Sequence, residues 1–171
     1  MEDIQLNISF RKANKNDLDS VFNVFTDAIA EMNRNNILQW DERYPDRELL
    51  AEDISKNQLY LGMAEGDIAS AYVVNSECDD EYENGDWQYP NASFCVIHRL
   101  CVNPKFQKKG VGTITVRHIE EELKNEGVET IRLDAFTLNP FALKMYDKLG
   151  YLKVGTVDWR VGRFWLMEKK L

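Results

Sequence analysis

The sequence predicts an α+β fold, a mixed and mostly antiparallel sheet flanked by helices, and two observations carry that prediction. The first half sets short strand patterns beside two amphipathic helical patterns. The second half holds a strand–helix–strand unit, from Ser93–Val102 through a helix opening near Gly112 to Thr130–Phe136. The strands of such a unit run parallel, and its crossover is right-handed. With 171 residues, 44% of them hydrophobic, the chain can bury one core, so a single domain over residues 1–171 is expected.

Each element has its own signal. Residues 5–12 read as an opening strand. Leu18, Val21, Phe22, Phe25, Ile29 and Met32 recur at spacings of three and four, which predicts a helix with Asn16 as its cap. Residues 35–45 (NNILQWDERYP) are irregular, and a shorter helix is expected from Asp46 to Ser55. Strands follow at 59–64 and 68–74 around a Glu65-Gly66-Asp67 turn. Ser93–Val102 (SFCVIHRLCV) is nearly continuous in apolar character, as a strand buried on both faces should be. Gly112, Val116, Ile119 and Leu123 share one helical face, and Gly127 ends that helix. Asn139, Pro140 and Gly150 punctuate the next helix, with Phe141, Met145 and Leu149 as its buried stripe. Strands at 151–157 and 163–169 close the chain around a turn at 158–162.

Charge and cysteines narrow the function classes. Lys plus Arg total 21 against 29 Asp plus Glu, a net charge of −8, the opposite of a nucleic-acid binder's footprint. Six acids (Glu77, Asp79, Asp80, Glu81, Glu83, Asp86) lie within ten residues that hold no Lys or Arg, and the rest of the chain is nearly neutral. The acidity is therefore local: a solvated loop over 75–91, or a lure for cationic substrates. No apolar run reaches the ~20 residues of a membrane span, and Met1-Glu2-Asp3 lacks the basic start of a signal peptide. Cys78, Cys95 and Cys101 form neither a disulfide framework nor a metal-binding spacing, so no metal is expected and a reducing cytoplasm suits the chain.

The most informative stretch runs from Val102 to Gly112 (VNPKFQKKGVG). A loop with two glycines leaves a buried strand and enters a helix directly. Glycines let backbone N–H groups converge, and the helix N-terminus adds partial positive charge, which together suit a pyrophosphate. Lys105, Lys108 and Lys109 add side-chain charge. A Walker A loop fails here, because no Lys precedes Thr113. A dinucleotide fingerprint has Gly110, Gly112 and a downstream Asp134, but its third glycine is Thr115 and Gly110 lies eight positions beyond Val102.

The form Gln-x-x-Gly-x-Gly after a strand ending Leu-x-Val-x-Pro resembles the acetyl-CoA motif of the GCN5-related N-acetyltransferase (GNAT) family. Downstream, Asn139-Pro140, Ala142, Tyr146 and Leu149-Gly150-Tyr151 resemble the same family's helix-and-strand motif, in the right order. The resemblance implies a GNAT-like fold whose central parallel strands splay apart, with acetyl-CoA as co-substrate. Backbone amides of Gln107, Lys108, Lys109, Gly110, Val111, Gly112 and Thr113 would cradle the pyrophosphate. Pantetheine would slot between the strands beside Leu100, Cys101 and Val102. Asn139 matches a residue that contacts the cofactor arm, and helix capping explains it equally well.

The implied reaction is direct attack of an amine on acetyl-CoA in a ternary complex. Tyr146 matches the family's general acid, which protonates the departing thiolate. His98 resembles the second of two strand histidines that relay protons in one branch of the family, but Val96 stands at the first position. Period-two alternation sets His98 on the face of Leu100 and Val102. A neutral imidazole there is either the base or a core residue bonded to backbone. Trp40, Asp41, Glu42 and Tyr44 form an aromatic-plus-acid set suited to a cationic amine, or else a packed connector. The expected partner is a small-molecule or peptide amine, with a homodimer left open and neither nucleic acid nor membrane involved. The alternative reading is a non-catalytic acetyl-CoA-binding sensor or scaffold, which would not need Tyr146.

Overall fold

Seven runs of alternating side chains pair into one sheet. The computed structural model describes residues 6–171. In chain order the elements are β1 (Ser9–Lys12), α1 (Leu18–Arg34), α2 (Arg47–Ser55), β2 (Leu59–Ala64), β3 (Asp67–Asn75), β4 (Phe94–Val102), α3 (Val111–Asn125), β5 (Thr130–Phe136), α4 (Pro140–Leu149), β6 (Leu152–Trp159) and β7 (Gly162–Lys170). The strand order is β1-β2-β3-β4-β5-β7-β6. β4 and β5 are parallel, and every other neighbouring pair is antiparallel. The mixed α+β sheet is the one the sequence predicts, with its parallel pair at the centre.

The two faces of the sheet are covered differently. α3 and α4 pack Val116, Ile119, Leu123 and Leu149 against Ile131, Leu133 and Ala135 of β5. On the other face, α1 and α2 pack Val21, Phe25, Leu50 and Ile54 against Leu59, Leu61, Ala71 and Val73. Beyond β5 no α-helix among the described residues covers that second face. The acidic segment after β3 does so instead, with Tyr82 packed against Val96, Phe136, Val154 and Leu166.

The predicted solvated loop is thus fastened to the sheet at several points. Tyr82 lies in a 3-10 turn, Asp80–Asn84, and is 3% exposed. Its carbonyl accepts from Trp87 Nε1 at 2.8 Å, and the Gln88 amide donates to Glu168 Oε1 at 2.8 Å. The guanidinium of Arg132 sits 4.3 Å from the centre of the Trp87 ring and 4.1 Å from that of Phe94. A desolvated cation between two rings is a favourable anchor for the segment. Composition hid this, because the exposed acids surround one buried tyrosine and a half-buried tryptophan.

Local chemistry also explains smaller departures from the sequence reading. β1 starts at Ser9 instead of residue 5, which lies outside the described residues; its partner β2 ends at Ala64, one residue past the Met63 that pairs Ser9. Asn14, not Asn16, opens the first helical turn: its side chain accepts from the Asn16 amide at 2.9 Å, and Asp17 reaches back to the Asn14 amide at 2.8 Å. That reciprocal box satisfies two donors where a lone Asn16 cap would satisfy one. Phe141 does not join the buried stripe of α4. It sits in the first turn, beyond the packed sheet, and is 68% exposed.

One close approach fixes the cover in place. A Cβ added to Gly155 of β6 would lie 2.9 Å from the Asn84 carbonyl oxygen and 3.1 Å from Gly85 Cα. Both are backbone atoms, so a side chain there must push the segment outward. Gly155→Val should lower stability by about 1–3 kcal/mol, read as a fall in the thermal unfolding midpoint. An unchanged midpoint would mean that the segment is not held against β6.

Candidate active site

The site begins where β4 and β5 stop pairing. Their parallel register runs only from Phe94–Thr130 to Val96–Arg132, although β4 continues to Val102 and β5 to Phe136. The strands separate beyond this point and open a cavity of about 970 Å³ that is reached from both faces of the sheet. Leu100, Cys101 and Val102 line it from β4, and Asp134, Ala135 and Phe136 from β5.

A bulge in β4 sets which side chains face the cavity. Val73 pairs His98 and Ala71 pairs Cys101, so β4 uses three steps where β3 uses two. Arg99 takes up the extra residue with a left-handed φ of 51°. The alternation therefore resets. His98 shares a face with Val96 and Cys101, not with Leu100 and Val102 as simple period-two counting predicts.

His98 is held by acceptors. Its Nε2 is 2.8 Å from Asn75 Oδ1 and 3.1 Å from the Glu77 carbonyl. Asn75 Nδ2 donates to Gln58, which fixes its oxygen toward the ring. Two acceptors at one nitrogen place the proton there. Burial, with the charge of Arg99, pushes the His98 pKa down to about 4. The ring is therefore a neutral donor across the physiological range.

A carboxyl group that the sequence offered only as part of a dinucleotide fingerprint does titrate there. Asp134 lines the cavity from β5, and its Oδ2 accepts from the Tyr82 hydroxyl at 2.7 Å. Burial raises its pKa to about 6, against the lowering effect of the Tyr82 bond and the Arg99 charge. An acid inside the apolar strand IRLDAF was the available signal. Tyr146 enters the cavity from α4, on the other face of the sheet. It is 6% exposed and packs edge-on to Tyr151 at 5.4 Å. Burial pushes its hydroxyl pKa up, so the phenol keeps its proton.

The glycine loop forms the cavity's other end. Gln107, Lys108, Gly110, Val111, Gly112 and Thr113 line it. The Gln107 amide already donates to the Pro104 carbonyl at 3.2 Å, which removes it from the expected cradle. Val111, Gly112 and Thr113 form the first turn of α3, whose amides have no intrahelical acceptor. Lys108 and Gly110 both have left-handed φ, 61° and 74°. A Cβ at Gly110 would meet nothing within 4 Å, so the loop's concave side is open. Among the lysines, Lys105 is bound to Asp67 at 2.5 Å and Lys109 lies over the Phe106 ring at 5.6 Å. Asn139 is engaged at both ends: Oδ1 accepts from the Ala142 amide at 3.1 Å, and Nδ2 donates to Gln39 Oε1 at 3.0 Å.

The four acceptor-loop residues divide. Trp40 is 8% exposed and packs on Phe25, with its edge at the cavity. Tyr44 lines the cavity and accepts from Arg99 Nη1 at 3.1 Å. Asp41 is paired with Arg160, which holds its pKa down to about 2. Glu42 is exposed. Arg99, a residue that sequence reasoning missed, forms a buried two-pronged pair with Asp53 of α2 at 2.7 and 2.9 Å. Among the described residues, no group of three His, Cys, Asp or Glu side chains is placed to hold a metal ion. No described helix is long and apolar enough to cross a membrane.

This geometry has many counterparts. The fold matches an acetyltransferase of the GNAT family from Streptococcus agalactiae 2603, with a TM-score of 0.85 at 21% identity over 97% of this chain and 98% of that one. It also matches a paiA N-acetyltransferase from Thermoplasma acidophilum in complex with coenzyme A, with a TM-score of 0.72 at 19% identity over 97% of this chain and 100% of that one. In sequence, a [ribosomal protein bS18]-alanine N-acetyltransferase from Salmonella typhimurium is 33% identical over 55 residues, 32% of this chain. The match spans only 37% of that relative's length. The model of the acetyltransferase (GNAT) family matches residues 21–151, from within α1 to just past α4. The chain belongs to the acetyltransferase (GNAT) family.

Proposed function

We propose that the chain is an acetyl-CoA-dependent N-acetyltransferase that acts on an amine within a ternary complex. One observation carries this reading: a titratable carboxyl group, Asp134, and a protonated phenol, Tyr146, face one cavity that ends at an open helix N-terminus. Acid–base work on an amine and a leaving thiolate needs this combination. The coenzyme A complex of the paiA relative, which has the same fold, supports the choice of co-substrate.

Bound acetyl-CoA would supply the thioester carbonyl that the amine attacks and the thiolate that leaves. Lys108, Gly110 and the first turn of α3 would hold its pyrophosphate through backbone amides. The β4 edge from Leu100 to Val102, which β5 leaves unpaired, offers backbone groups to the pantetheine arm. Asp134 accepts the proton that the ammonium must lose, and its pKa of about 6 leaves it ionised at neutral pH. Tyr82 steadies that carboxylate. Tyr146 gives its proton to the leaving sulfur. His98 holds Asn75 and the start of the acidic cover in place.

Three outcomes test these roles. With a thiol-release assay on acetyl-CoA, kcat/KM should rise with pH through a limb near 6, separate from an alkylamine's own ionisation near ~10. Asp134→Asn should abolish the limb and His98→Gln should leave it. Tyr82→Phe should move it upward, because the lost hydrogen bond favoured the ionised form. A limb that vanishes with His98→Gln instead would return the base to the histidine.

Tyr146→Phe keeps the ring and loses the proton, so kcat should fall by roughly 10²–10⁴ with little change in coenzyme A affinity. A near-wild-type kcat would remove Tyr146 from the chemistry. Gly110→Val forces a branched side chain into a left-handed backbone, and should raise the coenzyme A dissociation constant by roughly tenfold or more in titration calorimetry. Unchanged affinity in a folded variant would place the pyrophosphate elsewhere.

A further inference from the structure

Two ties cross the acceptor end of the cavity, and both start from the loop between α1 and α2. Gln39 is bonded to Asn139 at the cap of α4. Asp41 is gripped by both prongs of Arg160, at 2.7 and 3.0 Å, in the turn between β6 and β7. These partners belong to opposite halves of the sheet: the loop sits over the β1–β4 side, and the turn hangs from the far edge. The Asp41–Arg160 pair therefore joins the two walls of the acceptor end. A third contact, Tyr44 to Arg99, pins the same loop to β4.

An acceptor presented by a polypeptide needs those walls apart. An extended backbone occupies about 5 Å of width along its hydrogen-bonding direction and about 10 Å with its side chains. The cavity at this end is walled by aromatic rings, among them Trp40, Tyr44 and Trp159. Its two arginines already have carboxylate partners, Arg99 in Asp53 and Arg160 in Asp41. The cavity carboxylates Asp79, Glu81 and Asp134 have no ion-pair partner among the described residues. Aromatic walls with surplus negative charge suit a small cation.

We propose that the Asp41–Arg160 clasp is a specificity device that restricts the acceptor to a small cationic amine and excludes chain N-termini and lysines of polypeptides. The proposal rests on the amine-acetylating activity above. It differs from the activity named for the ribosomal-protein relative, whose 55 matched residues are less than a third of this chain. Arg160 and Asp41 act on size and approach, and take no part in proton transfer. The pair is partly exposed, so breaking it should leave the fold intact.

The test compares wild type, Arg160→Asp and the charge-swapped double variant Asp41→Arg/Arg160→Asp. Each is assayed with acetyl-CoA against small diamines and arylalkylamines, and against decapeptides bearing a free N-terminus or an internal lysine. Wild type should prefer a small amine over every peptide by about a hundredfold or more in kcat/KM. Arg160→Asp places two like charges in the clasp. The opened clasp should raise kcat/KM on peptides by roughly tenfold or more, and should narrow the preference for the small amine. The swapped double should return both values toward wild type, which loss of fold or a merely local defect would not do. Wild-type rates on a peptide equal to those on the small amines would overturn the proposal, as would a double variant that stays like the single one. Thiol release with neither class of acceptor, while coenzyme A still binds, would overturn the amine-acetylating reading and the proposal with it.

Discussion

The short parallel pairing of β4 and β5 is the constraint on which the site depends. Three residue pairs hold these strands together, and beyond Val96 and Arg132 they have no shared register. Edges without partners normally face water or another strand. Here they face a cavity, and the rest of the sheet makes that gap affordable. β4 keeps its other edge paired with β3, and β5 is paired along its whole length with β7. The opening joins two layers that a continuous sheet would separate. Asp134 and His98 reach it from the layer of α1 and α2, and Tyr146 reaches it from the layer of α4.

Charge on the inner face is arranged around the same opening. Arg99, Arg132, Asp134 and Glu168 are all removed from bulk water to some degree, and each is compensated differently. Arg99 has an ion-pair partner in Asp53, and Arg132 lies between two aromatic rings. Glu168 accepts a backbone amide through one oxygen, while its other oxygen and the Arg132 Nε have no partner among the described residues. Asp134 has a hydrogen bond from a phenol and the more distant charge of Arg99, but no ion-pair partner among the described residues. The least compensated carboxyl group on a cavity wall is the one whose ionisation is easiest to shift, which is a physical reason for chemistry to reside there.

Much of this architecture was legible in the sequence, because periodicity and punctuation are local. The helix stripes, the caps at Asn139 and Gly150, the glycine loop and the order of strands needed only neighbouring residues. The β4 bulge did not, since SFCVIHRLCV reads as one uninterrupted strand and only its pairing with β3 reveals the extra residue. That one residue moved His98 to the opposite face. The anchoring of the acidic segment was hidden for a related reason: Tyr82 and Trp87 are five residues apart among acids, with neither strand nor helix spacing. Asp134 was noticed as part of a nucleotide fingerprint that the loop length excluded, and its meaning depended on a tyrosine 52 positions away.

The cover over the outer half of the sheet also bears on how such a domain changes over time. A helix in that position would tie its residues together through a repeating pattern, so that each inward position limits the next. The segment from Asp80 to Gln88 is held instead by a few separate attachments, chiefly Tyr82, Trp87 and the Gln88 amide. Around them, Asp80, Glu81 and Glu83 are exposed and carry no packing duty. Glu81 nevertheless stands at the cavity wall. Residues that border the acceptor are therefore free to drift while the attachments stay fixed, and a lineage can revise its choice of substrate without revising its fold.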